Sequence, residues 1–503
     1  MSELPPELWA LIARHLPSDT VIGLMGLNRC FRKLALDELY RTLTVTPISR
    51  SLQKCLARLG KQDHLAQRVR SVVIHPLEAD TDHRPSKMNP SLRIMNRLIL
   101  VPPAQLYDRI TGKSIAPRLE ASVARISAIG LLNKVLPRLK NITNLTIIRN
   151  NLTIKADCKC LGCEFGYYPI SNIPWALYAP NLQCLNLVIL AGDGELFQLP
   201  RDITFPNLIE LALQVKFSSH AADSQFSQTI AYFVHHVCTT LKAFKLSVDG
   251  HSSNWVDTIF DTLPTFPLLQ SLEVSSCTSS IPFIRRYSQT LQNLAYNAGC
   301  HDTADLLSDI NFTSLQSLSI NLMCNHSSWW SKASPMLVST LATLRTLQLH
   351  TFASHDRLEA FLTAVAKIGE CDGEQNSVED VRLSAYDISW NTLPLIAQAF
   401  PSLRSLTLII SSLDVHCSSE KYETISYTLE EFHSRSPELI LKTREMFADL
   451  PQPWGLEHVV IEHQVCSTQL VRIWGLMSLL SECVESIRNV NFYGNGDIPS
   501  HDE

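Results

Sequence analysis

Cys158, Cys160 and Cys163, within the run Cys158-Lys159-Cys160-Leu161-Gly162-Cys163, form the only local cluster of thiols in the chain with the spacing of metal ligands. Three thiolates can hold one Zn2+ and leave a fourth corner open, which Cys184 could fill. A complete structural zinc site ordinarily shows paired Cys-x-x-Cys knuckles or histidines at matching spacing, so free loop cysteines are the default expectation. Other candidate chemistry fails on spacing. Gly112-Lys113-Ser114 matches the end of a phosphate-binding loop, but Tyr107 stands where that loop needs its first glycine. No His-Glu-x-x-His and no Gly-x-Ser-x-Gly occurs. His235-His236 lies in an apolar, helix-compatible stretch, where one ring is expected to pack and the other to meet solvent. No catalytic set and no cofactor is expected, and an enzyme whose site is assembled only in space is the weaker alternative.

The chain behind these residues has 503 positions, 45% of them hydrophobic and 18% charged, enough apolar material for a large packed body. Its net charge of -5 and scattered basic residues do not form the positive stripe that neutralises a phosphate backbone, so nucleic acid is not expected as a partner. The start shows no basic region followed by an apolar run, and no later stretch has the unbroken apolar length of a membrane span. Fourteen cysteines spread almost singly suit a reducing compartment. The expectation is an intracellular protein, cytoplasmic or nuclear, without a membrane partner.

Residues 4 to 40 read as three short helices. Pro5 and Pro6 suit a helix start, and Leu8, Ile12 and Leu16 recur every four residues on one face. Pro17-Ser18-Asp19 stops that helix and offers Ser18 or Asp19 as the next cap; Val21, Leu24 and Leu27 belong to the second helix. Asn28 can cap a third carrying Phe31, Leu34 and Leu39, after which Leu43-Thr44-Val45 turns strand-like. A segment this short makes a poor core on its own, so its many large apolar residues call for a partner surface. The order Leu4-Pro5-x-Glu7-Leu8, Ile12, Leu16, Leu24, Leu27, Asn28-Arg29 and Phe31-Arg32-Lys33-Leu34 resembles the F-box family over residues 3 to 45. Phe31 stands where many members carry tryptophan. The resemblance implies binding to the Skp-type adaptor of a cullin-RING ubiquitin ligase. It implies that Leu4, Pro5, Leu8, Ile12, Leu16, Leu24, Leu27 and Phe31 are shared between that interface and the module's own core.

Beyond residue 60 a triad of apolar residues keeps returning, with two other residues inside its first gap and one inside its second. It starts at Val69, Ile142, Leu182, Leu208, Leu241, Leu269, Leu291, Leu315, Leu344, Val378, Leu403, Leu456 and Ile487. From Leu182 to Leu403 successive starts differ by 26, 33, 28, 22, 24, 29, 34 and 25 residues, close to the leucine-rich-repeat length of about 20 to 29. Stretches such as 226–237 and 357–368 suit the intervening helices. The consensus Asn or Cys that satisfies the turn after each strand stands at Asn150 and Cys277 and is missing from most repeats, which predicts irregular turns.

The expected fold is therefore α/β: a three-helix F-box at 1–45, then an irregular leucine-rich-repeat horseshoe of parallel strands and helices at 46–503. Insertions are expected near 75–135 and 412–450. Alternation along each strand sends the triads inward and presents Lys245, Glu273, Asn297, Gln348, His350, Asp380, Arg382, His458 and Glu462 on the other face, with Glu210 and Gln214 beside them. These are the candidate target-binding residues. The functional expectation is a non-catalytic substrate receptor that joins an unknown protein target to the ligase. The alternative is an adaptor-binding scaffold or sensor that delivers no target.

Overall fold

The structure, a computed structural model, describes residues 5–46, 50–75, 129–148, 172–190, 203–216, 224–249, 254–275, 280–298, 310–322, 340–353, 355–372, 376–385, 392–410, 454–463 and 486–494, with a few single positions between 441 and 484. The expected insertions lie almost wholly outside the described residues, as do Leu4, Asn150, Cys277, the loop around Lys113 and the cluster Cys158, Cys160 and Cys163.

Pro5 flanks the first helix, α1 (Pro6–Arg14), and its carbonyl accepts from the N–H groups of Leu8 and Trp9 at 3.0 and 3.3 Å. Pro17 then flanks α2 (Ser18–Gly23) without any side-chain cap. Ser18 and Asp19, expected to cap it, instead occupy its first turn, because the fixed φ of proline already sets the helix start. The Ser18 hydroxyl donates to the Glu38 carboxylate at 3.3 Å. Asn28 does cap α3 (Arg29–Arg41), its Oδ1 accepting from the Phe31 N–H at 2.9 Å. Chain direction passes from α3 straight into β1 (Thr42–Val45), so the sheet begins at the module's last turn.

Two compact units make up the chain, one of residues 1–255 with 262–268, the other of 256–261 with 269–503. In the first, β1, β2 (Ser71–Ile74), β3 (Asn144–Ile148), β4 (Cys184–Leu190), β5 (Glu210–Lys216) and β6 (Ala243–Asp249) lie side by side in chain order, all parallel. In the second the same order continues through β7 (Ser271–Ser275), β8 (Asn293–Ala298), β9 (Ser317–Leu322), β10 (Thr346–Ala353), β11 (Asp380–Ala385), β12 (Ser405–Ile410), β13 (His458–His463) and β14 (Asn489–Gly494). Parallel neighbours require a crossover between strands. Described helices on those crossovers include α4 (Arg50–Leu59), α5 (Asp63–Ala66), α6 (Trp175–Tyr178), α7 (Ser224–Val237), α8 (Asn254–Thr262), α9 (Ser280–Arg286), α10 (His355–Asp372) and α11 (Thr392–Ala399). Helices α7 and α10 contain the two stretches expected to be helical. This succession of strand, crossover and strand is leucine-rich-repeat-like.

Registers bring the triads together. Leu145, Leu185, Leu211 and Phe244 stand opposite one another across β3 to β6, and Leu272, Leu294, Leu318, Leu347, Val381, Leu406 and Val459 do so across β7 to β13. All are buried. Each such side chain stabilises the body by roughly 1.5–3 kcal/mol relative to exposure. Aromatic rings from the crossovers extend the core: Phe205 lies between Trp175 and Phe233, with ring centroids 6.2 and 6.4 Å away, and Phe283 contacts Phe260 and Tyr287.

The strand entrances are regular. The carbonyl one residue before a strand accepts from two N–H groups of the next repeat: Gln183 from Ile209 and Glu210, Gln292 from Gln316 and Ser317, Arg345 from Glu379 and Asp380, Arg404 from Glu457 and His458. Their N···O distances run from 2.8 to 3.0 Å. A second row is made by side chains placed just before the first apolar residue of a triad. Asn141, Asn181, Asn207, Ser314, Ser377 and Ser486 each donate to a carbonyl of the preceding repeat. This polar ladder at the start of the strands does the work expected of an Asn or Cys at their end, satisfying backbone groups that would otherwise be left open.

Candidate interaction surfaces

Two sets of side chains are presented rather than buried. The first is on the three-helix module. Its core consists of Ala13, Val21, Phe31 and Ala35, with Trp9, Leu16, Leu24, Met25 and Leu34 partly covered around it. Trp9 and Phe31 meet with ring centroids 5.2 Å apart. Because the large indole takes the inward position on α1, the apolar stripe of that helix faces out. Leu8, Leu11 and Ile12 are 44%, 51% and 41% exposed, and Leu27 is 62% exposed. Leu16 lies beyond the end of α1, against the core, so it does not share the Leu8 and Ile12 stripe as the four-residue spacing predicts. Among the residues expected to be shared between core and interface, Phe31 is buried, Leu16 and Leu24 are half-buried, and Pro5, Leu8, Ile12 and Leu27 are open.

The second set is on the sheet. In the second unit the residues between the inward positions form rows across the strands: Asp380, Ser405, His458 and Asn489; Gln348, Arg382, Thr407 and Val460; His350, Ser384, Ile409 and Glu462, of which Ser384 and Ile409 are themselves buried. Arg382 reaches over β12, and its Nη2 donates to both carboxylate oxygens of Glu462, at 3.2 and 2.9 Å. The guanidinium is thus already neutralised, which removes Arg382 as an isolated cation for an acidic target. Ser384 Oγ lies 3.4 Å from His350 Nδ1. Burial, and after it the Arg382 charge, pushes His350 below the usual imidazole range, while Glu462 opposes them. The Asp380 carboxyl is raised, because burial outweighs the hydrogen bond from Ser405 and the attraction of Arg382. On this face the ring of His458 approaches the Asn489 amide at 3.3 Å. Gln348, Glu273 and Asn297 face outward and are half-buried on their strands; in the first unit Lys245 does the same on β6. The arrangement offers a field of hydroxyls, amides and one compensated ion pair, suited to hydrogen bonding with a bound chain.

The cysteine and histidine candidates separate. Cys184 begins β4, and its Sγ sits 3.6 Å from the Glu210 carboxylate; burial, then Glu210, pushes its thiol up. Among the described residues no group of three or more metal-ligating side chains converges. His235 and His236 are both exposed, correcting the expectation that one packs. At that end of α7 the inward positions are filled by Val234 and Val237, and His236 Nδ1 instead pairs with the Tyr232 carbonyl at 2.9 Å. No described helix is long and apolar enough to cross a membrane.

No family model matches the sequence, and no curated protein sequence matches it. Among solved structures the chain is similar to the leucine-rich repeat-containing protein LegL7 from Legionella pneumophila, at 13% identity and a TM-score of 0.32, over 60% of this chain and 87% of that one.

Proposed function

We propose that this chain is a substrate-receptor subunit of a cullin-RING ubiquitin ligase, with the three-helix module as an F-box bound to the Skp-type adaptor and the repeat sheet holding a protein target. The observation that carries the reading is the exposed apolar set Leu8, Leu11, Ile12 and Leu27 on a module whose core is built from only four buried side chains. Large apolar groups gathered on one small module favour a protein interface. The residue order of the F-box resemblance supplies the partner. On the sheet, Glu273, Asn297, Gln348, His350, Asp380, His458 and Lys245 are the proposed target contacts, and the Arg382 and Glu462 pair positions its neighbours. The working place of such a subunit is the cytoplasm or nucleus, and the chain itself catalyses no step. Mixing the purified full chain with recombinant adaptor, cullin and RING subunit tests the reading. A single complex on size exclusion is expected. If the chain elutes apart from the adaptor, the receptor assignment fails; if it binds the adaptor but excludes the cullin, the chain is an isolated scaffold.

A further inference from the structure

Between the end of α3, the start of β1 and the exposed side of α4 lies a cleft of about 350 Å3. Leu39, Leu43, Leu59 and Val69 make its apolar floor, and Lys54 and Arg58, one helical turn apart on α4, stand on its rim. Leu43, Leu59 and Val69 are almost fully covered, while Leu39 is 48% exposed. The Arg58 guanidinium is held in place by donating to the Tyr40 hydroxyl at 3.1 Å. None of Leu8, Ile12 and Leu27 lines the cleft.

Charge around it departs from the rest of the chain. Residues 29–70 carry ten Lys or Arg against three Asp or Glu, in a protein whose net charge is -5. Each of those three carboxylates is already engaged: Asp37 with Arg68, Glu38 with Arg41, and Asp63 with Arg138. Among the described residues no carboxylate lies within ion-pair distance of Lys54 or Arg58. An apolar floor beneath uncompensated cations is complementary to a ligand of opposite pattern.

We propose that this cleft docks an acidic peptide segment of a partner protein, which lays one large apolar side chain against the open Leu39, above the floor of Leu43, Leu59 and Val69, while its carboxylates face Lys54 and Arg58. Cys55 lines the same cleft as a thiol that burial pushes up, so it contributes packing rather than a thiolate. The site is separate from the proposed adaptor surface and does not depend on it.

Fluorescence anisotropy on the full chain tests this with a labelled peptide of about ten residues, glutamates and aspartates around a central leucine. Comparison peptides carry alanine for the leucine or lysines for the acids. The acidic leucine peptide is expected to bind, to weaken with added salt, and to lose about tenfold in affinity when the leucine is replaced or when the chain carries Lys54→Glu. Arg58→Gln, which can retain a hydrogen bond to Tyr40, should weaken it by a smaller factor. Lys54 is exposed, so melting temperature and adaptor capture should match the unaltered chain. Equal binding of the lysine peptide, indifference to Lys54→Glu, or indifference to the leucine would overturn the proposal. So would binding of anionic phospholipid vesicles without binding of the peptide, or loss of adaptor capture in Lys54→Glu, which would assign the cleft to the adaptor surface.

Discussion

The three-helix module closes its core around Ala13, Val21, Phe31 and Ala35 and leaves Leu8, Leu11, Ile12 and Leu27 in solvent, whereas β12 alone buries Leu406, Leu408 and Ile410 completely. Both regions are rich in large apolar residues. They differ in who covers them. A repeat strand is covered by its neighbours in register and by the crossover elements of its own chain, so its apolar set is complete without help. A module of about 40 residues has too little interior for its apolar side chains, and the excess faces out. Burial thus separates the residues that hold the molecule together from those free to hold another.

The largest effect that could break this contrast is in the repeat body. Leu347→Ala, at a fully buried ladder position, should lower unfolding free energy by about 2–5 kcal/mol, whereas Leu27→Ala should change it by less than about 0.5 kcal/mol. Thermal or denaturant unfolding of the two variants checks the difference, and equal losses would mean that the module is no less self-sufficient than the sheet. Next is a buried amide beside the polar ladder, two residues before the triad start Val378. Asn376 is buried, donates to the Ala399 carbonyl at 2.6 Å and accepts from the Val378 N–H at 3.1 Å. Asn376→Ala leaves both groups unpaired and should cost about 1–3 kcal/mol in the same assay.

The repeat body was legible because inward positions recur. Every triad start from Val69 to Ile487 leads into a strand of the sheet, and apolar periodicity is what register preserves. The polar ladder is not legible from the repeat consensus, which places its polar residue after each strand, whereas here an Asn, Ser or Thr stands before it. That signal is in the sequence: Asn141, Asn181, Asn207, Thr240, Thr290, Ser314, Thr343, Ser377, Ser402 and Ser486 each precede a triad start. On the module, spacing alone could not assign a face, since Trp9 and Ala13 recur at the same four-residue interval as Leu8 and Ile12. Packing against Phe31 decided between them. The Arg382 and Glu462 pair was illegible for another reason: 80 residues separate its members, and only the register across β12 brings them together.

Smaller effects sharpen the reading of the sheet face. Arg382 and Glu462 are each about one-third exposed, so a double-mutant cycle with Arg382→Ala and Glu462→Ala should give a coupling of about 0.2–1 kcal/mol, reduced by salt. A coupling near zero would return Arg382 to the set of cations available to a target. The pH dependence is smaller again. The fold holds the half-buried His350 below its ordinary value of 6.5, so the unfolded chain takes up the proton first as pH falls. Its contribution is fully present above about pH 6.5 and diminishes as pH drops from there towards the lowered folded value. His350→Gln should flatten the slope of stability between about pH 7 and 5, measured by denaturant midpoints, and an unchanged slope would place the ring in ordinary solvent.

The central claim is that the module's exposed leucines and isoleucine serve a protein partner and its core does not need them. It is tested most directly by the dissociation constant of the full chain for a Skp-type adaptor, measured by calorimetry with and without Leu8→Asp, Ile12→Asp and Leu27→Asp together. The account predicts a loss of at least about a hundredfold, equivalent to roughly 2.7 kcal/mol, with the melting temperature of the repeat body unchanged. Unchanged adaptor affinity in a folded triple variant, or no measurable affinity in the unaltered chain, would contradict it.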